Sequence, residues 1–227
     1  MSSGSNSLRL LGRLPWFRRD IRAIAFVEFA LSLPLFTMVM MGGIEIANFV
    51  TTKMRVSQLA LHVADHIARI GTGSQLAAKT ISEKQINDVL TGAGLQADRL
   101  NLYTRGRVII SSLEPDTVNT TSGNNRYKIA WQRCQGVQNH ASSYGVAGAT
   151  NLTGMGPTGQ QVTAPDNGAT IFVEVSYQYQ PIINTRYIGS VQMTEIAAMP
   201  VRDRRDTTQI YNTENVTQHL CSSFTAT

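Results

Sequence analysis

The chain has 227 residues, enough for one moderate domain plus an anchor or tails. Only 15% of its residues are charged, a low share for a cytoplasmic protein and a common one for exported proteins. The formal net charge of +5 collects in the N-terminal tail and in Arg202, Arg204 and Arg205, with no basic face interleaved with aromatics, which excludes nucleic acid as a partner.

Residues 1–22 form a basic tail, and residues 23–50 (AIAFVEFALSLPLFTMVMMGGIEIANFV) the first predicted element, a transmembrane helix. As a helix this segment would be about 42 Å long against a hydrocarbon thickness of about 30 Å, so it crosses with some tilt. The charge-free stretch between Glu28 and Glu45 is 16 residues, so both glutamates belong near the boundaries or one is held by a partner in the membrane. Gly42-Gly43 and Pro34 are tolerated in membrane helices, where proline introduces a kink. A secretory signal peptide is the rival reading. It needs a shorter apolar core and a small-x-small cleavage site, whereas NFVTTKMRVSQLALHVADHIARIG follows here as an amphipathic continuation. Arg9, Arg13, Arg18, Arg19 and Arg22 precede the span against Asp20 alone, while Lys53 and Arg55 closely follow it. The positive-inside rule then predicts a single-pass inner-membrane protein with a cytoplasmic N-terminus and a periplasmic or extracellular C-terminal domain.

Residues 51–95 read as a helical segment. Met54, Val56, Leu59, Leu61, Val63, Ile67 and Ile70 recur at helical spacing, and Gly71-Thr72-Gly73 stops the helix. A second helix is predicted from the N-cap Ser82 through Leu90, ending at Gly92 and Gly94. Residues 96–202 then change character. Strands are predicted at Leu100–Leu113, with Gly106 as a turn, and at Arg126–Cys134, Thr170–Gln180 and Val191–Met199. In the third, Ile171, Val173, Val175, Tyr177 and Tyr179 share one face, against Phe172, Glu174, Ser176 and Gln178 on the other. The polar, glycine-rich stretch 135–168 is a long loop, either functional or poorly ordered. Helices first and strands after give an α+β fold class, a long N-terminal transmembrane and amphipathic helix followed by an antiparallel-sheet domain. Residues 203–227 form a polar tail.

Cys134 and Cys221 both fall on the predicted outer side, where an oxidising compartment favours one disulfide over two free thiols. It would close a loop of about ninety residues, worth about 4–5 kcal/mol in the chain-entropy model, and tie the tail to the sheet.

Catalytic chemistry is missing from the pattern. His62 and His66 stand one helical turn apart, but Val63 occupies the position where a zinc protease needs its glutamate, and no third ligand is evident. Gly71-Thr72-Gly73 follows a helix instead of a strand, so it is no dinucleotide fingerprint. Nucleophile elbows, phosphate-binding loops and metal-spaced cysteines are absent. The expectation is a non-enzyme with no cofactor, no catalytic residue and no bound metal.

The stretch Arg22-Ala23-Ile24-Ala25-Phe26-Val27-Glu28-Phe29-Ala30-Leu31-Ser32-Leu33-Pro34-Leu35, followed by Gly43-Ile44-Glu45, resembles the opening of TadE/TadG-like proteins of the tight-adherence (Tad/Flp) pilus system. Trp131-Gln132-Arg133-Cys134, Val173–Tyr179 and Val201-Arg202-Asp203-Arg204 also look like features of that family, so the resemblance runs over most of the chain and is sharpest in VEFALxLP. It implies a minor pilin (pseudopilin) or pilus-associated envelope protein. The partners it implies are the inner membrane, other pilus or pseudopilin subunits, assembly-platform proteins and a prepilin peptidase. Matched residue by residue, Glu28 takes the place of the glutamate at the fifth mature position, Phe29 that of its aromatic neighbour, and cleavage falls between Ala23 and Ile24. Ala23 stands where such peptidases usually meet glycine. Pro34 becomes an assembly determinant or a tolerated kink, and Glu28 pairs with the freed ammonium of an adjacent subunit or reaches the headgroups beside Arg22. The reading from another class is an anchored periplasmic binding or sensing module whose 135–168 loop contacts a ligand. A third is an anchored hydrolase using His62 and His66.

Overall fold

Buried apolar residues on α1 (Ile21–Arg69) stand at Val56, Leu59, Ala60, Val63, Ala64 and Ile67, the three- and four-residue steps that put them on one helical face. Each large one contributes about 1.5–3 kcal/mol on burial. The computed structural model describes residues 21–74, 76–183 and 189–226. The arginines of the tail before residue 21 lie outside the described residues, as do the side chains of Arg22 and Ala23. The chain divides into two units, Met1–Ala47 and Asn48–Thr227. The described part of the first is helical throughout. Among the described residues, one helix is long and apolar enough to cross a membrane.

The second unit is α+β. After α1 come α2 (Glu83–Ala97), a 3-10 turn (Asp98–Leu100), a one-turn helix α3 (Leu102–Arg105), and four strands. The strands are β1 (Gly106–Pro115), β2 (Tyr127–Gln135), β3 (Thr170–Gln178) and β4 (Gln192–Pro200). They form one antiparallel sheet in the order β2-β1-β3-β4. In register, Val108 faces Val175 and Ile110 faces Val173. A bulge at Ser112/Leu113 shifts β1 against β2.

Three expectations change here. The second helix does not end at Gly92 and Gly94 but runs to Ala97, because its buried stripe Ile86, Leu90, Ala93, Ala97 continues past both glycines. Packing outweighs the cost of about 1 kcal/mol per helical glycine. Gly94 is a close-approach position, since a Cβ there would meet the Tyr103 ring at 2.7 Å. Tyr103 in turn donates its hydroxyl to the Leu90 carbonyl, and burial drives its pKa up. The segment Leu100–Leu113 is not one strand: the 3-10 turn and α3 occupy its first part, and β1 begins at Gly106. Gly106 is extended, not a turn. A Cβ would lie 2.5 Å from the Ser176 carbonyl oxygen, so only glycine lets β3 come this close.

The third change concerns the 135–168 loop. β1 and β3 are buried on both faces. Ile171, Val173, Val175 and Tyr177 meet the helices, as their spacing implies. Phe172 and Glu174, on the face read as polar, are buried too, because the long loop folds over it. Tyr144, Leu152, Met155, Val162 and Ala164 pack there with Leu113, Ile129 and Phe172. The Tyr144 ring meets Phe172 edge-on, with centroids 5.2 Å apart. The loop is therefore an ordered second layer.

The tail is built in as well. Its backbone pairs with residues 79–83, through Lys79 to Arg204 and Glu83 to Tyr211. It then covers the outer edge of β2, where Cys134 N donates to His219 O and Gly136 N to Thr225 O, both at 2.8 Å. Residues 148–152 cover the other half of that edge through Ile129 and Tyr127.

Candidate functional site: the first helix and an arginine-lined cleft

Among the described residues, every position of α1 from Ile24 to Met41 is exposed. The most apolar stretch of the helix is exposed all round among the described residues. Phe26 is 75% exposed, and Ile24, Glu28, Phe29 and Pro34 are exposed as well. The helix passes through Pro34, which lacks the N–H that would reach back one turn. Nearby hydroxyls supplement its backbone: Ser32 Oγ donates to Phe29 O at 3.1 Å and Thr37 Oγ1 to Pro34 O at 2.9 Å. Such a helix is long and apolar enough to cross a membrane.

Cys134 and Cys221 are joined, with Cα atoms 4.7 Å apart and 87 residues between them in sequence. Beside the bond lies Arg107, a β1 residue that is 1% exposed. Nη2 donates to Cys221 O at 2.7 Å and Nη1 to Gly136 O at 3.1 Å, while the Phe224 ring covers the guanidinium at 4.1 Å. Desolvation lowers its pKa. Nothing in the strand pattern marked Arg107, because its role depends on the tail folding over it.

Two further buried charges were equally hidden. Glu83, fully buried at the start of α2, pairs with Arg133 of β2, whose Nε lies 2.9 Å from Oε2. Glu174, also fully buried, accepts from the Ser142 hydroxyl and from the Ser143 N–H at 3.1 Å, so it holds the long loop. Burial pushes its carboxyl pKa up, partly offset by these two bonds.

A cleft of about 380 Å³ opens between α1 and the end of α2. Arg55 and His62 on α1 face Gln96, Asp98 and Arg99 across it, over a floor that includes Leu59 and Leu100. Gln96 Nε2 lies 3.1 Å from His62 Nδ1. Asp98 adopts φ 40°, ψ −111°, a strained backbone for a non-glycine residue. Arg55 and Arg99 make no hydrogen bond or ion pair among the described residues. The His62 and His66 rings are 6.4 Å apart, and no cluster of three or more His, Cys, Asp and Glu is gathered among the described residues.

No curated protein and no solved structure matches this chain. A family model does, and its match is confined to the first helix. Trp131–Cys134, Val173–Tyr179 and Val201–Arg204, which sequence resemblance extended to, lie outside it. Over residues 23–65 the chain is similar to the TadE-like protein family.

Proposed function

We propose that this chain is a single-pass inner-membrane protein, N-terminus in the cytoplasm, that works without catalysis as a TadE/TadG-like minor pilin or pilus-associated envelope protein. The observation that carries this reading is the bare apolar part of α1, which coincides with the TadE-like match and offers only surfaces that lipid or other helices can cover. Glu28 sits on the exposed helix in this apolar setting. A carboxylate there is costly unless paired, so a neighbouring subunit's ammonium would supply both attraction and register. Phe29 and Pro34 would present the adjoining packing surface. The 135–168 loop, on which a ligand-binding module would depend, is used to cover the sheet, which supports assembly over sensing.

The test is deletion of the gene and its replacement with Glu28→Gln. Fewer pili and weaker surface attachment in both strains, with the Glu28→Gln protein still in the membrane, would support the reading; unchanged pili in the deletion would end it. Intact-mass analysis from native membranes, with and without the prepilin peptidase, addresses processing. A peptidase-dependent terminus at Ile24 makes the protein a pseudopilin, and an uncut Ala23–Ile24 bond makes it a permanent envelope component.

A further inference from the structure

We infer that the cleft between α1 and α2 binds the phosphate-bearing headgroup of a membrane phospholipid, an inference that rests on the anchor reading above. Arg55 and Arg99 line one concave site without a carboxylate or carbonyl partner among the described residues, and His62 adds an imidazole to the same lining. Planar guanidinium forks match phosphate oxygens, and two converging on one cleft are the donor set such a group needs. Asp98 supplies the opposite charge in the same cleft. That mixture fits a headgroup carrying a phosphodiester together with an ammonium or hydroxyl, and fits a simple polyanion poorly. Leu59 and Leu100 give the floor an apolar surface for the glycerol carbons.

Position along α1 favours lipid over a soluble phosphate. Arg55 follows Val50, the end of the apolar span, by five residues, about 7.5 Å of helical rise. The polar headgroup layer is roughly 5–7.5 Å thick on each side of the hydrocarbon. The cleft therefore begins at the outer edge of the headgroup layer, where anionic lipids also attract basic side chains.

The experiment uses the full chain in neutral-detergent micelles, with retained lipid read by native mass spectrometry. The probes are phosphatidylethanolamine, phosphatidylglycerol, diacylglycerol without phosphate, and inorganic phosphate. One phospholipid retained per chain, no retained diacylglycerol, and a loss of about tenfold in apparent affinity for Arg55→Gln/Arg99→Gln are expected. Arg69→Gln, outside the cleft, serves as control and leaves retention unchanged. An unchanged urea midpoint for the double variant separates binding from folding. Equal retention by wild type and double variant overturns the site. Binding of inorganic phosphate without lipid retention overturns the lipid source, and arginine-dependent capture of an acidic protein segment in place of lipid overturns it too. Carbonate extraction of native membranes tests the anchor separately: release of the wild-type chain would sink the anchor reading, whereas a retained chain with arginine-independent lipid binding sinks the cleft alone.

Discussion

Arg205 Nη2 donates to the Ile70 carbonyl oxygen at 2.7 Å and to Ile67 O at 2.9 Å, so a residue of the C-terminal tail closes the end of the first helix. The last carbonyls of a helix have no intrahelical donors, and a cation there also meets the negative end of the helix dipole. Burial brings the Arg205 pKa down to about 10, so the side chain remains charged at neutral pH. Arg205→Met keeps much of the stem packing and removes these donors. A loss of about 2 kcal/mol in urea unfolding is expected, and a change below about 0.5 kcal/mol would mean that water caps the helix as well.

Removing the disulfide should free the tail from the β2 edge. Cys134→Ala/Cys221→Ala loses the closure of an 87-residue separation, which the chain-entropy model values at about 4–5 kcal/mol as an upper figure. Limited proteolysis should then cut first within residues 213–226, while the sheet stays protected. Simultaneous cleavage in β1 and β3 would show that the bond holds the whole domain together.

Glu83 and Arg133 are a buried pair, so their single and double variants should differ in kind. Arg133→Met leaves the Glu83 carboxylate buried without its cation and should cost about 3–5 kcal/mol. Glu83→Gln/Arg133→Met should recover a large part of that loss, giving a coupling of more than about 1 kcal/mol in a double-mutant cycle. Additive single losses would place the energy in packing.

Glu174 and Glu114 both have carboxyl pKa values raised by burial, which sets the sign of their pH effect. A folded pKa above the unfolded one means the folded state holds its proton longer. The resulting stability is present below the ordinary carboxyl range and is lost as pH rises through the raised folded value. Glu174→Gln should therefore gain on wild type as pH rises from about 4.5 to 7.5, read as the difference in urea midpoint. A constant difference across that range would remove Glu174 as the titrating group.

Asp116 works in the other direction. Its carboxylate accepts from the Asn119 side chain at 2.7 Å and from the Asn151 N–H at 3.0 Å, and these bonds hold its pKa below the usual value. Its contribution is present above the unfolded carboxyl pKa and fades as pH falls through the lowered one. Asp116→Asn should lose the wild type's acid-side decline and loosen the junction between residues 116–119 and 151, visible as faster amide exchange at Asn151. Unchanged exchange there would assign that junction to other contacts.

The long apolar helix, the helical face of residues 56–67, the α+β order and the cysteine pair were all readable from the chain itself. Each depends on local composition or on a period, and an apolar helix or a one-sided helix writes its character into neighbouring residues. The strand alternation of Ile171, Val173 and Val175 was equally plain for the face that meets the helices. What covers Phe172 and Glu174 was not, because the covering residues come from a polar, glycine-rich loop whose few apolar side chains follow no period. Gly92 and Gly94 suggested a helix end because propensity is local, whereas Ile86, Leu90, Ala93 and Ala97 hold α2 through contacts made elsewhere. Arg107, Arg205 and the Arg55–Arg99 cleft join residues far apart in the chain. No local pattern encodes such meetings, since they exist only after tertiary packing has brought one desolvated cation to another segment's carbonyls, or two arginines to one cleft.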